Sequence, residues 1–138
     1  MTILPKTETV PADFTPKIAA AIKARAGGLC EGCHRNAETQ LHHRLYKSRG
    51  GKGTIGNGIA LCGLGNASGC HGKAHTAEGE ALGWSLPSGA NPLGIPVRTW
   101  HRSGWGTERP AWALYDNQGG VHWITDEEAA RRMNGLVI

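Results

Sequence analysis

The sequence predicts an α+β protein: a small zinc-stabilised centre with an N-terminal helix and a C-terminal strand-rich extension. Three observations lead there. Cys30, Cys33, Cys62 and Cys70 form an ordered set that begins with a C-x-x-C, the makings of a closed four-sulfur zinc site. An Ala- and Lys-rich stretch follows Thr15-Pro16. Beyond Trp84 the composition changes to Pro, Gly and Trp with short strand-like runs.

Residues 1–14 read as a flexible arm. Thr15 offers an N-cap, Pro16 suits the first helical position, and the helix runs to about Ala26, ended by Gly27-Gly28. The central unit, 15–83, continues with a zinc-knuckle turn, a strand near Gln40 to Tyr46, a Gly-rich basic loop and a second strand near Ile59 to Cys62. A helix from about Cys70 to Leu82 closes it, with Gly72 and Gly79 weakening its propensity. The extension, 84–138, carries strands at Pro96 to His101, Ala111 to Tyr115 and Val121 to Ile124. A final helix begins at Thr125, with Glu128 completing a capping box. The five Trp read as the small core of this C-terminal part.

Composition sets the limits. A chain of 138 residues fits one domain with extensions, and no apolar run approaches the roughly 20 residues of a bilayer span. Met1 to Val10 lacks the pattern of a signal peptide, so a soluble, cytoplasmic protein is expected, where such cysteines hold metal more often than they form disulfides. Of the net charge of +4, the stretch from Lys17 to His75 carries nine lysines and arginines against only Glu31 and Glu38. A basic block that coincides with the metal-ligand block points to a polyanion such as nucleic acid.

The histidines add a second candidate site. His71 and His75, four residues apart, share one helix face and can grip an ion together, although alone they fit an exposed helix face equally well. His42 and His43 are adjacent on a predicted strand and therefore point to opposite sides, which favours separate roles. Asn57, between Gly56 and Gly58, reads by itself as a turn residue.

The ordered set Cys30-x-x-Cys33, Leu41-His42-His43-Arg44, Gly50-Gly51, Asn57-Gly58-Ile59-Ala60-Leu61-Cys62, Cys70-His71 and His75 resembles the HNH endonucleases, which have the ββα-metal fold. The resemblance covers about residues 28–83 and implies the following roles. His43 matches the general base that activates water, and Asn57 the residue that fixes the loop aiming it. His42, His71 and His75 would bind a catalytic divalent cation (Mg²⁺, Mn²⁺, Ni²⁺ or Zn²⁺), and the four cysteines a structural zinc. Cys62 and Cys70 depart from the usual spacing, because the seven residues 63–69 separate them, so their joint site requires that loop to fold back.

The implied activity is one-metal hydrolysis of DNA, either nicking or double-strand cutting. Arg44, Lys47, Arg49, Lys52 and Lys73 are candidate contacts to the DNA backbone. The stretch through Leu82-Gly83-Trp84 and its Pro-rich sequel is more weakly similar to the small HNH proteins of tailed bacteriophages, which implies the host-cell cytoplasm and either genome packaging, with a terminase as partner, or mobile-element cutting. A zinc-stabilised nucleic-acid-binding module without catalysis is the alternative. A thioredoxin-like protein using Cys30 and Cys33 would require a βαβ pattern that the sequence lacks.

Overall fold

Thr15 starts the first helix where the sequence predicts it. In the computed structural model, which describes residues 10–38, 40–65, 68–101 and 109–134, α1 spans Pro16–Ala26. The Thr15 hydroxyl accepts the Ile18 amide at 3.3 Å, and Gly27 closes the helix in the left-handed conformation. Ile22 and Ala26 on the inner face of α1 pack against Ile55 and Ala60, with Phe14 and Ile18 beside them.

The helix thereby lies on an antiparallel hairpin of β1 (Gln40–His43) and β2 (Gly58–Leu61), in which His42 faces Ile59 and His43 faces Gly58. β1 is shorter than expected, stopping at His43 instead of Tyr46. The reason is local competition: Arg44 N still donates to Asn57 O, but the next amide, Leu45 N, is taken by the Asn57 side chain, and the chain turns away through Lys47–Arg49.

The helix expected from Cys70 to Leu82 is two helices, α2 (Gly69–Ala74) and α3 (Ala77–Ala81). Thr76 breaks it. In extended conformation, its hydroxyl donates to Lys73 O at 2.6 Å and accepts the Gly79 amide at 3.4 Å, closing one helix and opening the next.

The C-terminal part is an antiparallel sheet of β3 (Val97–His101), β4 (Arg109–Tyr115) and β5 (Val121–Ile124), followed by α4 (Asp126–Asn134). Thr125 accepts the Glu128 amide at 3.1 Å, but the Glu128 carboxylate pairs with Arg132, so only half of the expected capping box forms. The sheet does not build a separate core. Val97, Ala113 and Tyr115 pack in one cluster with Ile59, Leu61, Trp84 and three of the cysteines. Trp84 is the one fully buried tryptophan among the described residues; Trp100 and Trp112 are half-buried, Trp123 is exposed, and Trp105 lies outside the described residues. Among the described residues, Trp84 alone of the tryptophans is a core residue, packed with Val97, Ala113 and Tyr115, so the core expected from the tryptophans together is not what these residues build.

A buried ion pair joins the layers. Arg25 on α1 grips Glu31 through two hydrogen bonds of 2.9 and 2.8 Å, and the same carboxylate accepts from Ala60 N and Tyr115 OH. Helix, knuckle, hairpin and C-terminal sheet thus meet at one side chain. Among the described residues, no helix is long and apolar enough to cross a membrane.

Candidate metal centres

The four cysteine sulfurs all lie within 4.8 Å of one another, and Cys33 Sγ is 3.9 Å from Cys62 Sγ. Metal–sulfur bonds of about 2.3 Å in a tetrahedron set the sulfurs about 3.8 Å apart, so the cluster has the dimensions of a Cys₄ site that can hold a metal such as zinc. All four are free thiols, and 3.9 Å is far beyond a disulfide.

The long spacing between Cys62 and Cys70 is resolved by glycine. Gly63 and Gly69 both take positive φ, and a Cβ at Gly69 would press on the Cys62 carbonyl, so the chain returns closely enough for Cys70 N to donate to Cys62 Sγ at 3.4 Å. Gly32 N donates to Cys30 Sγ and Asn36 Nδ2 to Cys62 Sγ, donors that favour thiolates. A hydrogen bond from the Cys70 thiol holds Cys30 down at about 4, while sharing that proton pushes Cys70 up. Negative charge is stabilised here in advance of any cation.

The second cluster joins β1 to α2. His42, His71 and His75 offer ring nitrogens that all lie within 4.8 Å, with His71 Nε2 and His75 Nε2 3.4 Å apart. Metal–nitrogen bonds of about 2.0–2.1 Å give a tetrahedral edge of about 3.4 Å. His42 Nε2 donates to the Trp84 carbonyl at 2.8 Å, which leaves Nδ1 with the free lone pair. Burial pulls the His42 pKa down to about 3, against the Trp84 bond, and burial followed by His75 lowers that of His71. Neutral imidazoles suit metal binding. His75 caps α2 instead of lying inside one long helix, yet it stays on the face that carries His71.

His43 sits on the other side of the strand, as period-two geometry requires. Its Nε2 is 2.6 Å from Ala12 O, and its ring stacks on Phe14 with centroids 4.0 Å apart. Residues 11–14 are therefore not the loose arm that the sequence suggested; residues 1–9 lie outside the described residues. Asn57, 1% exposed, pairs with both backbone groups of Leu45 and with Lys52 O, which ties the basic loop to the hairpin.

The expected basic contacts divide. Arg44 is corrected from a DNA contact to a structural residue: it is wholly buried, and its guanidinium donates to the carbonyls of Gly56, Gly83, Pro92, Ile95 and Pro96. Burial lowers its pKa to about 10, so it remains charged at neutral pH. Lys52 is exposed; Lys47 pairs with Asp13 and Lys73 with Glu78 while both stay accessible. Arg49 lies over the Tyr46 ring and donates to Leu86 O.

No family model, curated protein or solved structure matches the chain.

Sequence reasoning missed Tyr46, Ala12 and Phe14. Tyr46 walls the histidine cluster, its ring 5.2 Å from that of His75 and its hydroxyl 2.7 Å from Ser85 Oγ. Its signal was its place three residues after the tandem pair. Ala12 acts through a backbone carbonyl and leaves none in the sequence.

Proposed function

We propose that this chain is a metal-dependent DNA endonuclease of the HNH type, its hairpin and α2 forming a ββα-metal centre and its four cysteines holding a structural zinc. One observation carries the reading. The two tandem histidines part across β1, so that His42 joins His71 and His75 at the spacing of a cation site while His43 stands apart with a ring nitrogen free to take a proton. A binding module needs neither arrangement.

His42, His71 and His75 would hold the catalytic ion, which when bound supplies positive charge against the phosphate as a Lewis acid. The protein's own part is proton transfer and alignment. His43 accepts a proton from the attacking water, help typically worth 10²- to 10⁴-fold. Asn57 fixes the loop that follows His43 and so keeps the histidine in register. Lys47, Arg49, Lys52 and Lys73 supply the charge that draws the DNA backbone, a role that Arg44 cannot share.

Incubation of supercoiled plasmid with the protein and Mg²⁺, Mn²⁺, Ni²⁺ or Zn²⁺ tests the proposal. Nicked or linear product with at least one ion is expected. Intact plasmid with all four, alongside salt-sensitive DNA binding, would replace the enzyme with a zinc-stabilised binding module.

A further inference from the structure

Four contacts fasten the segment Pro11–Phe14 across the basic loop and the tandem histidines. Gly53 N donates to Pro11 O at 2.8 Å, and Lys47 Nζ meets Asp13 Oδ1 at 2.6 Å. His43 Nε2 meets Ala12 O, and the Phe14 ring lies nearly parallel to that of His43, at 22°. The fit is close: a Cβ on Gly53 would collide with Asp13 O. Phe14 is anchored on its other side against the cluster of Ile22, Ile55 and Ala60 that packs α1 on the hairpin. A segment with no periodic pattern is thus held at both ends and in the middle, and its centre falls on His43.

The chemistry of the Ala12 contact is one-way. A carbonyl oxygen only accepts, so the His43 nitrogen that meets it must be the one carrying hydrogen. In the neutral ring the other nitrogen, Nδ1, then holds the lone pair. Stacking on Phe14 fixes the plane of the ring, while the carbonyl fixes its rotation within that plane. Both degrees of freedom are set by residues outside the central motif.

We propose that Pro11–Phe14 is a positioning strap for the general base: Ala12 O selects the Nε2–H tautomer of His43 and Phe14 orients the ring, so that Nδ1 faces the reacting water. The inference rests on the endonuclease reading for its catalytic consequence, but the tautomer and the strap stand on their own geometry. Ala12 and Phe14 act through His43 and touch no reacting atom. The opposite possibility, a cover that keeps substrate away from His43, makes the opposite kinetic forecast.

The test uses the full chain. Gly53→Ala introduces the Cβ that pushes the strap from its seat, Phe14→Ala removes the stack, and Phe14→Tyr restores an aromatic face. Each is assayed for plasmid cleavage with Mn²⁺ and for the protonated ring nitrogen of His43 by long-range ¹H–¹⁵N correlation, with zinc content as the check on folding. Gly53→Ala and Phe14→Ala are expected to lower kcat by about 10- to 100-fold at nearly constant KM, since misplacement of a catalytic group by about 1 Å costs on that order. Phe14→Tyr should cleave close to the wild-type rate. The Nε2–H signature of the wild type should give way to mixed tautomers in the first two variants.

Unchanged kcat in both variants, a rise in kcat, or a wild-type His43 protonated on Nδ1 would each overturn the strap. If the wild type leaves plasmid intact, the nuclease reading falls and the spectrum alone decides: an Nε2–H signature lost in Gly53→Ala supports the strap, and one unchanged by that variant rejects it.

Discussion

Asn57 and Leu45 exchange a reciprocal pair of hydrogen bonds, Leu45 N to Asn57 Oδ1 at 2.8 Å and Asn57 Nδ2 to Leu45 O at 3.1 Å. A side-chain amide thereby stands in for the next rung of the β1–β2 ladder. Its remaining donor reaches Lys52 O at 2.9 Å, so one residue fixes both ends of the loop that carries Lys47 and Arg49.

Asn57→Asp separates the donor from the acceptor role. The variant keeps an oxygen for Leu45 N but turns a second oxygen toward two carbonyls, and each buried group left unpaired costs about 1–3 kcal/mol. Thermal unfolding should fall by several degrees at least. Plasmid cleavage should fall with it. An Asn57→Asp protein that melts with the wild type would deny that the amide holds the loop.

The cysteine cluster makes a second forecast. Cys30, Cys62 and Cys70 belong to the same buried cluster as Ile59, Leu61 and Trp84, so losing a metal held there would expose the main core. Purified protein should contain about one tightly held zinc per chain, and a strong chelator should unfold it, because zinc binding in small modules is worth about 10–16 kcal/mol. Cys33→Ala should lose both zinc and cooperative melting. A zinc-free protein with an unchanged melting transition counts against the site.

What was legible in the sequence is what local spacing determines. The order of the cysteines and histidines anticipated both clusters, because ligand chemistry restricts residue types, and the alternation of a strand was enough to part His42 from His43. Long-range partners were not legible. The carbonyls that Arg44 meets at Gly83, Pro92, Ile95 and Pro96 belong to a segment with no pattern of its own, and a basic residue beside two histidines looks the same whether it points outward or inward. The helix break was hidden for another reason. Thr76 is a weak helix former, but only its two hydrogen bonds turn that weakness into an end and a beginning.

Arg44 should behave as a structural residue in every assay. Arg44→Met leaves five carbonyls without their donor, and because a buried group left unpaired costs about 1–3 kcal/mol, a loss of at least about 3 kcal/mol is expected. Arg44→Lys keeps the charge but has fewer donors and no planar fork, so it should also destabilise. The salt dependence of DNA binding should be untouched by Arg44→Met, measured on the folded protein, although that variant removes the charge. Lys52→Ala, by contrast, should leave stability intact and reduce the salt slope by about one. Measured salt slopes that assign the loss to position 44 and not to position 52 would reverse the division of roles.

His43 and His75 should fail in different ways. His43→Ala removes the proposed proton acceptor while His42, His71 and His75 remain, so zinc content and DNA affinity should hold while cleavage falls by about 10²-fold or more at every metal concentration. His75→Ala leaves two nitrogens to grip the ion, and weaker chelation shifts the activity to higher metal concentration. Added metal should therefore rescue His75→Ala and not His43→Ala. A titration of Mn²⁺ against cleavage rate decides it: parallel curves for the two variants, or cleavage by His43→Ala at the wild-type rate, would remove His43 from the reaction.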